Sequence, residues 1–283
     1  MAAEELKHAF PRIDLPIRPP YPPMEAKSVD EIPSGPGWSY EPKWDGFRCL
    51  GFRRGNTVVL QSKAGQPLGR YFPELVEALA GLPQDPFVLD GEIVITRDGH
   101  LSFDDLLMRI HPAASRIRKL SGETPAEYLV FDMLVDEDGK VVSDLPLRER
   151  RKHLERFFRK VDRRHKVRIR LSPATGERGE AQRWMRELGA SGLDGVVAKR
   201  IDEPYHSGER AMQKIKRMRT ADCVVGGFRY AQKGGAMGSL LLGLYDDRGL
   251  LDHVGFTASF NAEERKALKP VVKPYEGGRG FTG

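Results

Sequence analysis

The chain has 283 residues, 40% of them hydrophobic and 30% charged, with a formal net charge of +6 and a pI near 9.3. That length is enough for one large domain, or a large and a small one, and the composition excludes a disordered chain. No apolar run reaches the roughly eighteen residues of a membrane-spanning helix. The N-terminal stretch MAAEELKHAFPRIDLP is charged, unlike a secretory signal, and Cys49 and Cys223 make no metal-ligand spacing, so they read as reduced thiols of a cytoplasmic protein.

Residues 11–37 are rich in proline (PRIDLPIRPPYPPM, later IPSGPG) and predict an extended lead-in wrapped on a domain surface. Hairpins follow. Gly55-Asn56 separates two apolar runs in FRCLGFRRGNTVVLQSK, Asp98-Gly99 does so in PFVLDGEIVITRDGHLSF, and Asp138-Gly139 in EYLVFDMLVDEDGKVV. Such pairs supply the positive φ angles of tight turns. One short helix is predicted after Phe72, with Pro73 in its first turn, and another over about residues 103–110, stopping at His111-Pro112.

Residues 148–170 hold twelve Lys/Arg against three Asp/Glu. Leu147, Leu154, Phe157, Phe158 and Val161 recur at helical spacing, which predicts a helix with an apolar seam and a basic exterior. The exterior is either a solvated face or a surface for phosphates, and the alkaline pI supports the second. A further helix is predicted in GEAQRWMRELGASG, closed near Gly192, with Trp184 and Met185 as core residues.

Hairpins interrupted by helices give an α+β domain with antiparallel sheets. The texture changes near Thr220: DCVVGGFRY, GSLLLGLYDD and LLDHVGFTASF are strand-like runs with glycine-rich joints, and a helix follows with Asn261 as N-cap and Glu264 three residues on. This is the opening of a small β-barrel such as an OB-fold. The expected domains are therefore 1–219 and 220–283. A five-stranded barrel cannot close on three strands, so the second is expected to be incomplete.

Lys43 sits in YEPKWDGFR, with Arg48 five residues on. A lysine becomes a nucleophile only after losing its proton, which near neutral pH costs about 4 kcal/mol. Burial and nearby cations lower that cost, and Arg48, Lys214 and Lys216 are candidates for the cations. Read singly, KWDGFR is a turn beside a solvated strand lysine. It is followed, however, by SKAG (residues 62–65), LDGEIV (89–94), YLVFDML (128–134), LDGVVAK (193–199) and KIK (214–216). Lys214 and Lys216, two apart, share a face of any strand they occupy.

In this order, over about residues 20–260, these segments resemble the covalent nucleotidyltransferases, and among them the ATP-dependent DNA ligases, in particular the small bacterial ligase C and ligase D type. The resemblance implies an antiparallel-sheet adenylation domain followed by an OB-fold. It implies that Lys43 attacks the α-phosphate of ATP to give a lysyl-AMP, with Glu41 beside the adenine, Phe131 stacked on it, and Arg48 and Lys63 on ribose or phosphate. Lys199, Lys214 and Lys216 would hold the phosphate charge. Glu92 and Asp194 would serve ribose and a divalent cation, Mg²⁺ or Mn²⁺. Asp194 stands where the family more often has Glu, and Lys63 where it more often has Arg. Nicked duplex DNA is the implied partner of a monomer in DNA repair. The basic run, with Arg148, Arg151 and Lys152, and the small second domain are expected to grip its backbone, and Arg70 is either a further phosphate contact or half of an ion pair.

The family's Arg- and Trp-containing closing motif is not found. A natural chain ending at Gly283 is expected to adenylate slowly, while sealing of pre-adenylated nicks survives. The alternatives are an RNA ligase, an mRNA-capping guanylyltransferase, or a DNA-binding relative without catalysis.

Overall fold

The computed structural model describes residues 10–162, 165–187, 193–216, 220–231 and 235–283. The predicted helix closure near Gly192 and Arg163 and Arg164 of the basic run lie outside these residues. The chain forms two compact units, Met1–Arg217 and Met218–Gly283.

The first unit contains two sheets. Strands β2 (Trp38–Trp44), β9 (Leu193–Arg200), β10 (Met212–Lys216) and β1 (Ala26–Ser28) form a four-stranded sheet in the order β1-β10-β9-β2. Strands β3 (Phe47–Arg54), β4 (Thr57–Ser62), β5 (Phe87–Arg97), β7 (Ala126–Val135) and β8 (Ile169–Leu171) run in the order β4-β3-β5-β7-β8, and β6 (His100–Leu101) pairs with β5. Pairing is antiparallel except for β1 with β10 and β7 with β8. The turns at Gly55 and Asp98-Gly99 join β3 to β4 and β5 to β6, with positive φ at Gly55, Asp98 and Gly99. Asp138-Gly139 makes a turn closed by a single bridge between Val135 and Val141.

Alternation within the strands divides the core. Cys49, Leu60, Leu89, Ile93, Tyr128 and Val130 point to one face of the larger sheet, where helices α1 (Pro73–Ala80), α2 (Phe103–Met108) and α4 (Leu147–Lys160) bring Leu75, Leu79, Leu106, Leu154, Phe157 and Phe158. Helix α3 (Ala114–Glu123), which has no counterpart among the predicted elements, adds Ile117 to the buried set. Leu50, Phe52, Val59 and Val88 point the other way. Their cover is the proline-rich lead-in: Phe10, Ile13, Leu15, Ile17 and Met24 are all buried there. The segment is extended over the sheet as expected, with Ile13, Leu15 and Ile17 inward and Arg12, Asp14, Pro16 and Arg18 exposed. Proline removes backbone donors but leaves the intervening apolar side chains free to fill a core. On the outer side of the four-stranded sheet, Tyr40, Val196, Ala198 and Ile215 pack against helix α5 (Arg178–Glu187) through Ala181, with Trp184 and Met185 alongside.

The second unit is the antiparallel sheet β11 (Val224–Tyr230), β12 (Met237–Tyr245) and β13 (Leu251–Thr257), with helix α6 (Ala262–Val272). Asn261 accepts from the backbone of Glu263 and Glu264, and Glu264 accepts from the Asn261 N–H, the reciprocal cap expected from sequence. No described helix is long and apolar enough to cross a membrane.

Candidate active site

A pocket opens in the first unit, lined by both sheets and by lead-in residues 23–26. Register accounts for its chemistry. Glu41 faces Val197, which faces Lys214, and Lys43 faces Gly195, which faces Lys216. Cross-strand neighbours share a face, so two rungs of the small sheet carry four charged side chains on the face opposite the Tyr40 and Ile215 core. The larger sheet contributes Arg48 and Glu92, cross-strand partners on β3 and β5, together with Phe131.

Two irregularities complete the site. Lys43 faces Gly195 but Trp44 faces Leu193, so Asp194 is the extra residue of a β-bulge. Gly91 faces Val130 but Asp90 faces Asp132, so Phe131 is the extra residue of another. A bulge re-aims a side chain that strict alternation would send elsewhere. Gly195 is needed beside the first, because a Cβ there would overlap the Ile215 carbonyl oxygen.

Lys43 Nζ donates to Asp194 Oδ2 at 2.6 Å, and Lys216 Nζ lies 2.7 Å from the same oxygen. The cations proposed from sequence to surround Lys43 are therefore not bare neighbours of the amine. Lys216 shares its carboxylate, and Arg48 is bound to Asp90 through two hydrogen bonds of 2.6 Å. Buried charges require partners, and the strands supply them. Burial acts to raise the Asp194 pKa, but hydrogen bonds from Lys216 and Lys43 outweigh it and hold the carboxyl below its usual range. Burial likewise opposes the Arg48 charge, and the Asp90 carboxylate more than compensates, raising its pKa. Among the described residues Glu92 has no such partner. Burial, only partly offset by Arg48 and Lys43, pushes it up to about 7.

The Phe131 ring has Arg48 Cζ 4.5 Å and Lys199 Nζ 4.6 Å from its centroid. Lys199 lies 2.8 Å from Glu41, and both are almost fully buried. At the mouth Lys63 Nζ donates to Glu25 Oε2 at 2.8 Å, which lowers the Glu25 pKa. Among the described residues no three His, Cys, Asp or Glu form a ready-made metal cluster.

The fold thus gathers Glu41, Lys43, Arg48, Lys63, Glu92, Phe131, Lys199 and Lys214 around one pocket, with Asp194 and Lys216 joined to Lys43. The other four candidates lie elsewhere. Arg70 is exposed, donates to the Pro112 carbonyl at 2.9 Å and stacks 5.0 Å from the Tyr71 ring. Arg148 and Lys152 are exposed on α4, 3.9 and 2.9 Å from Glu149. Arg151 is largely covered, donating to Glu155 at 2.9 Å and to the Ser172 carbonyl at 3.0 Å.

Sequence reasoning missed Met24, Glu25 and Tyr205. Nothing local marks Met24 and Glu25, because they reach the pocket through pairing with residues nearly two hundred positions away: Glu25 N donates to the Glu209 carbonyl at 2.7 Å. It also passed over Asp90, although that residue lies within LDGEIV.

A family model described as "ATP dependent DNA ligase domain" matches residues 23–216. The chain is 49% identical over 258 residues to "DNA ligase C2" of Mycolicibacterium smegmatis, covering 90% of this chain and 71% of that protein. It is 45% identical over 263 residues to "DNA ligase C" of Mycobacterium tuberculosis, covering 93% and 73%. Among solved structures, "mycobacterial DNA ligase D complexed with ATP and MES" aligns with a TM-score of 0.56 and 26% identity over 92% of this chain and 80% of that one.

Proposed function

The chain belongs to the ATP-dependent DNA ligase family, and on that premise we propose which of its residues carry the reaction. We assign the nucleophile to Lys43. Its amine loses a proton to solvent and attacks the α-phosphorus of ATP; the N–P bond forms and the P–O bond to pyrophosphate breaks. The 5′-phosphate of a nick then displaces the lysine from AMP, and the lysine regains a proton. Finally the 3′-hydroxyl attacks the phosphorus of the nick's own 5′-phosphate, loses its proton to solvent and expels AMP as the phosphoanhydride P–O bond breaks. Adenylating the 5′-phosphate gives it AMP as a good leaving group, which splits one hard displacement into easier steps.

Asp194 aims the amine. Held below its usual pKa range by two lysines, it is a weak base, so alignment is its principal part. Arg48, Lys63, Lys199, Lys214 and Lys216 meet the phosphate charge, and fixed cations in a partly desolvated cleft stabilise it well. We place the adenine against Phe131 and Glu41, an aromatic face and a carboxylate that suit a base and its amino group. Glu92 fits a divalent cation, Mg²⁺ or Mn²⁺: burial makes its charge costly, and a hard cation beside it would relieve that cost. Asp194 is the second oxygen donor in this assignment. When bound, such an ion neutralises charge on phosphoryl oxygens.

We assign adenylation to residues 1–219, and to residues 220–283 an OB-fold role that the three antiparallel strands and α6 support. Duplex contact is assigned to Arg70, Arg148 and Lys152, with Arg151 contributing least because its guanidinium is already engaged. Exposed ion pairs such as Lys152–Glu149 are weak enough for a DNA phosphate to replace the carboxylate. We infer a monomer acting in DNA repair.

The observation that carries this reading is the Lys43–Asp194–Lys216 cluster beside a cation-lined pocket. Incubation with α-labelled ATP tests it. Label should stay on the protein, chase onto a nicked duplex and depend on Lys43. Labelling by GTP, or preference for RNA ends, would overturn it.

A further inference from the structure

Tyr205 lies in the loop between β9 and β10, outside every motif the sequence singled out. It is buried, 6% exposed, yet its hydroxyl is fully used. It donates to Asp90 Oδ2 at 2.6 Å and accepts from the Met24 backbone N–H at 2.8 Å. Asp90 in turn holds Arg48, and Arg48 Nη2 donates to the Met24 carbonyl at 3.3 Å. The hydroxyl therefore closes a ring running through Asp90, Arg48 and Met24. Burial, reinforced by Asp90, pushes the phenol well above its usual range, so it remains a donor.

Met24 belongs to the lead-in segment that forms one wall of the pocket. The Tyr205 loop also holds this segment at Pro22 and Glu25. Ser207 Oγ donates to the Pro22 carbonyl at 2.7 Å, and Glu25 N donates to the Glu209 carbonyl at 2.7 Å. Of these ties, only the Tyr205 hydroxyl joins the wall to a side-chain pair that reaches the pocket.

We propose that Tyr205 is a positioning residue for the nucleotide: its hydroxyl fixes residues 23–26 against the Asp90–Arg48 pair, so that the pocket wall and the Arg48 guanidinium are set before ATP arrives. The inference rests on the pocket being the ATP site. A pre-set wall acts on nucleotide binding more than on the chemical step, because the hydroxyl touches neither Lys43 nor Asp194.

Tyr205→Phe removes the hydroxyl and keeps the ring, leaving Met24 N–H and one Asp90 oxygen without this partner. Self-adenylation by the full chain should show a KM for ATP raised about tenfold, the scale of one unmade buried hydrogen bond, with the maximal rate within about twofold. Val161→Ala, a remote core change, supplies a control for lost stability alone, and its KM should match the unmodified chain. An unchanged KM in folded Tyr205→Phe, or an equal rise in Val161→Ala, overturns the proposal. Should Tyr205→Phe not fold, Ser207→Ala loosens the same wall from the surface. There a KM raised about threefold supports the proposal, and an unchanged one contradicts it. Lys43→Ala separates the two readings: labelling that survives it removes the ATP site, whereas an unchanged KM in Tyr205→Phe removes only the role of the hydroxyl.

Discussion

Lys43 and Asp194 are 151 positions apart and meet at 2.6 Å because a single extra residue in β9 turns the Asp194 side chain toward β2. With aim as the main part of Asp194, Asp194→Asn should slow self-adenylation on the order of 100-fold, the scale of a misplaced reacting group, while the KM for ATP changes less. Asp194→Glu keeps the charge and should retain more of the rate. Single-turnover labelling of each variant checks this. Equal rates in the unmodified chain and Asp194→Asn would show that the ion pair is incidental.

Gly195→Ala tests the bulge itself. The added Cβ would meet the Ile215 carbonyl and Lys216 Cα, both backbone atoms, so a neighbouring strand must move. We expect a loss of about 2 kcal/mol or more in stability, together with loss of adenylation in whatever remains folded. Thermal unfolding and labelling on one preparation measure both. A variant as stable and active as the unmodified chain would contradict this use of the glycine.

Strand alternation carries Lys214 and Lys216 to one face, as their spacing predicts; that Glu41, Lys43 and Lys199 join them depends on which strands pair, and only the family resemblance pointed to it. What alternation cannot register is an inserted residue. Asp194 and Phe131 both occupy bulges, where period two breaks, and were legible only through family resemblance. The path of the lead-in was legible, but its contribution to the core was not. Proline density signals an extended chain, but the depth of Ile13, Leu15 and Ile17 depends on the sheet beneath them. Asp90 and Tyr205 were invisible because their importance lies in what they hold. The polar partners of Lys43 and Arg48 were underestimated too: attention to cations left out the carboxylates that burying them requires.

Arg150 lies on the basic helix yet belongs to the interior. It is bound to Asp132 by hydrogen bonds of 2.8 and 2.9 Å, and both side chains are 1% exposed. Burial acts to raise the Asp132 pKa, but Arg150 outweighs it and holds the carboxyl below its ordinary value of 3.8. A carboxyl with a depressed folded pKa contributes stability above its unfolded value, and that stability is lost as pH falls through the folded value. Arg150→Ala should therefore cost about 3 to 5 kcal/mol near neutral pH by leaving a buried charge unpaired. Below pH 3.8 the unmodified chain should lose more stability on further acidification than the variant. Denaturant unfolding across that range checks the sign.

Arg148 and Lys152 face solvent on the same helix. The double change Arg148→Ala, Lys152→Ala should weaken duplex binding at every sequence and reduce the salt slope of binding by about one unit per lost phosphate contact. Adenylation without DNA should be unaffected. Fluorescence anisotropy over a salt series reads the slope, and an unaltered slope would move the duplex to another face.

The central claim is that the Lys43 amine takes AMP. Intact-mass and peptide mass spectrometry after incubation with ATP and a divalent cation test it most directly. The account predicts a gain of roughly 329 Da carried by the peptide containing Lys43, acid-labile as a phosphoramidate is, and absent from Lys43→Arg. The same mass on a different lysine, or its persistence in Lys43→Arg, would contradict it.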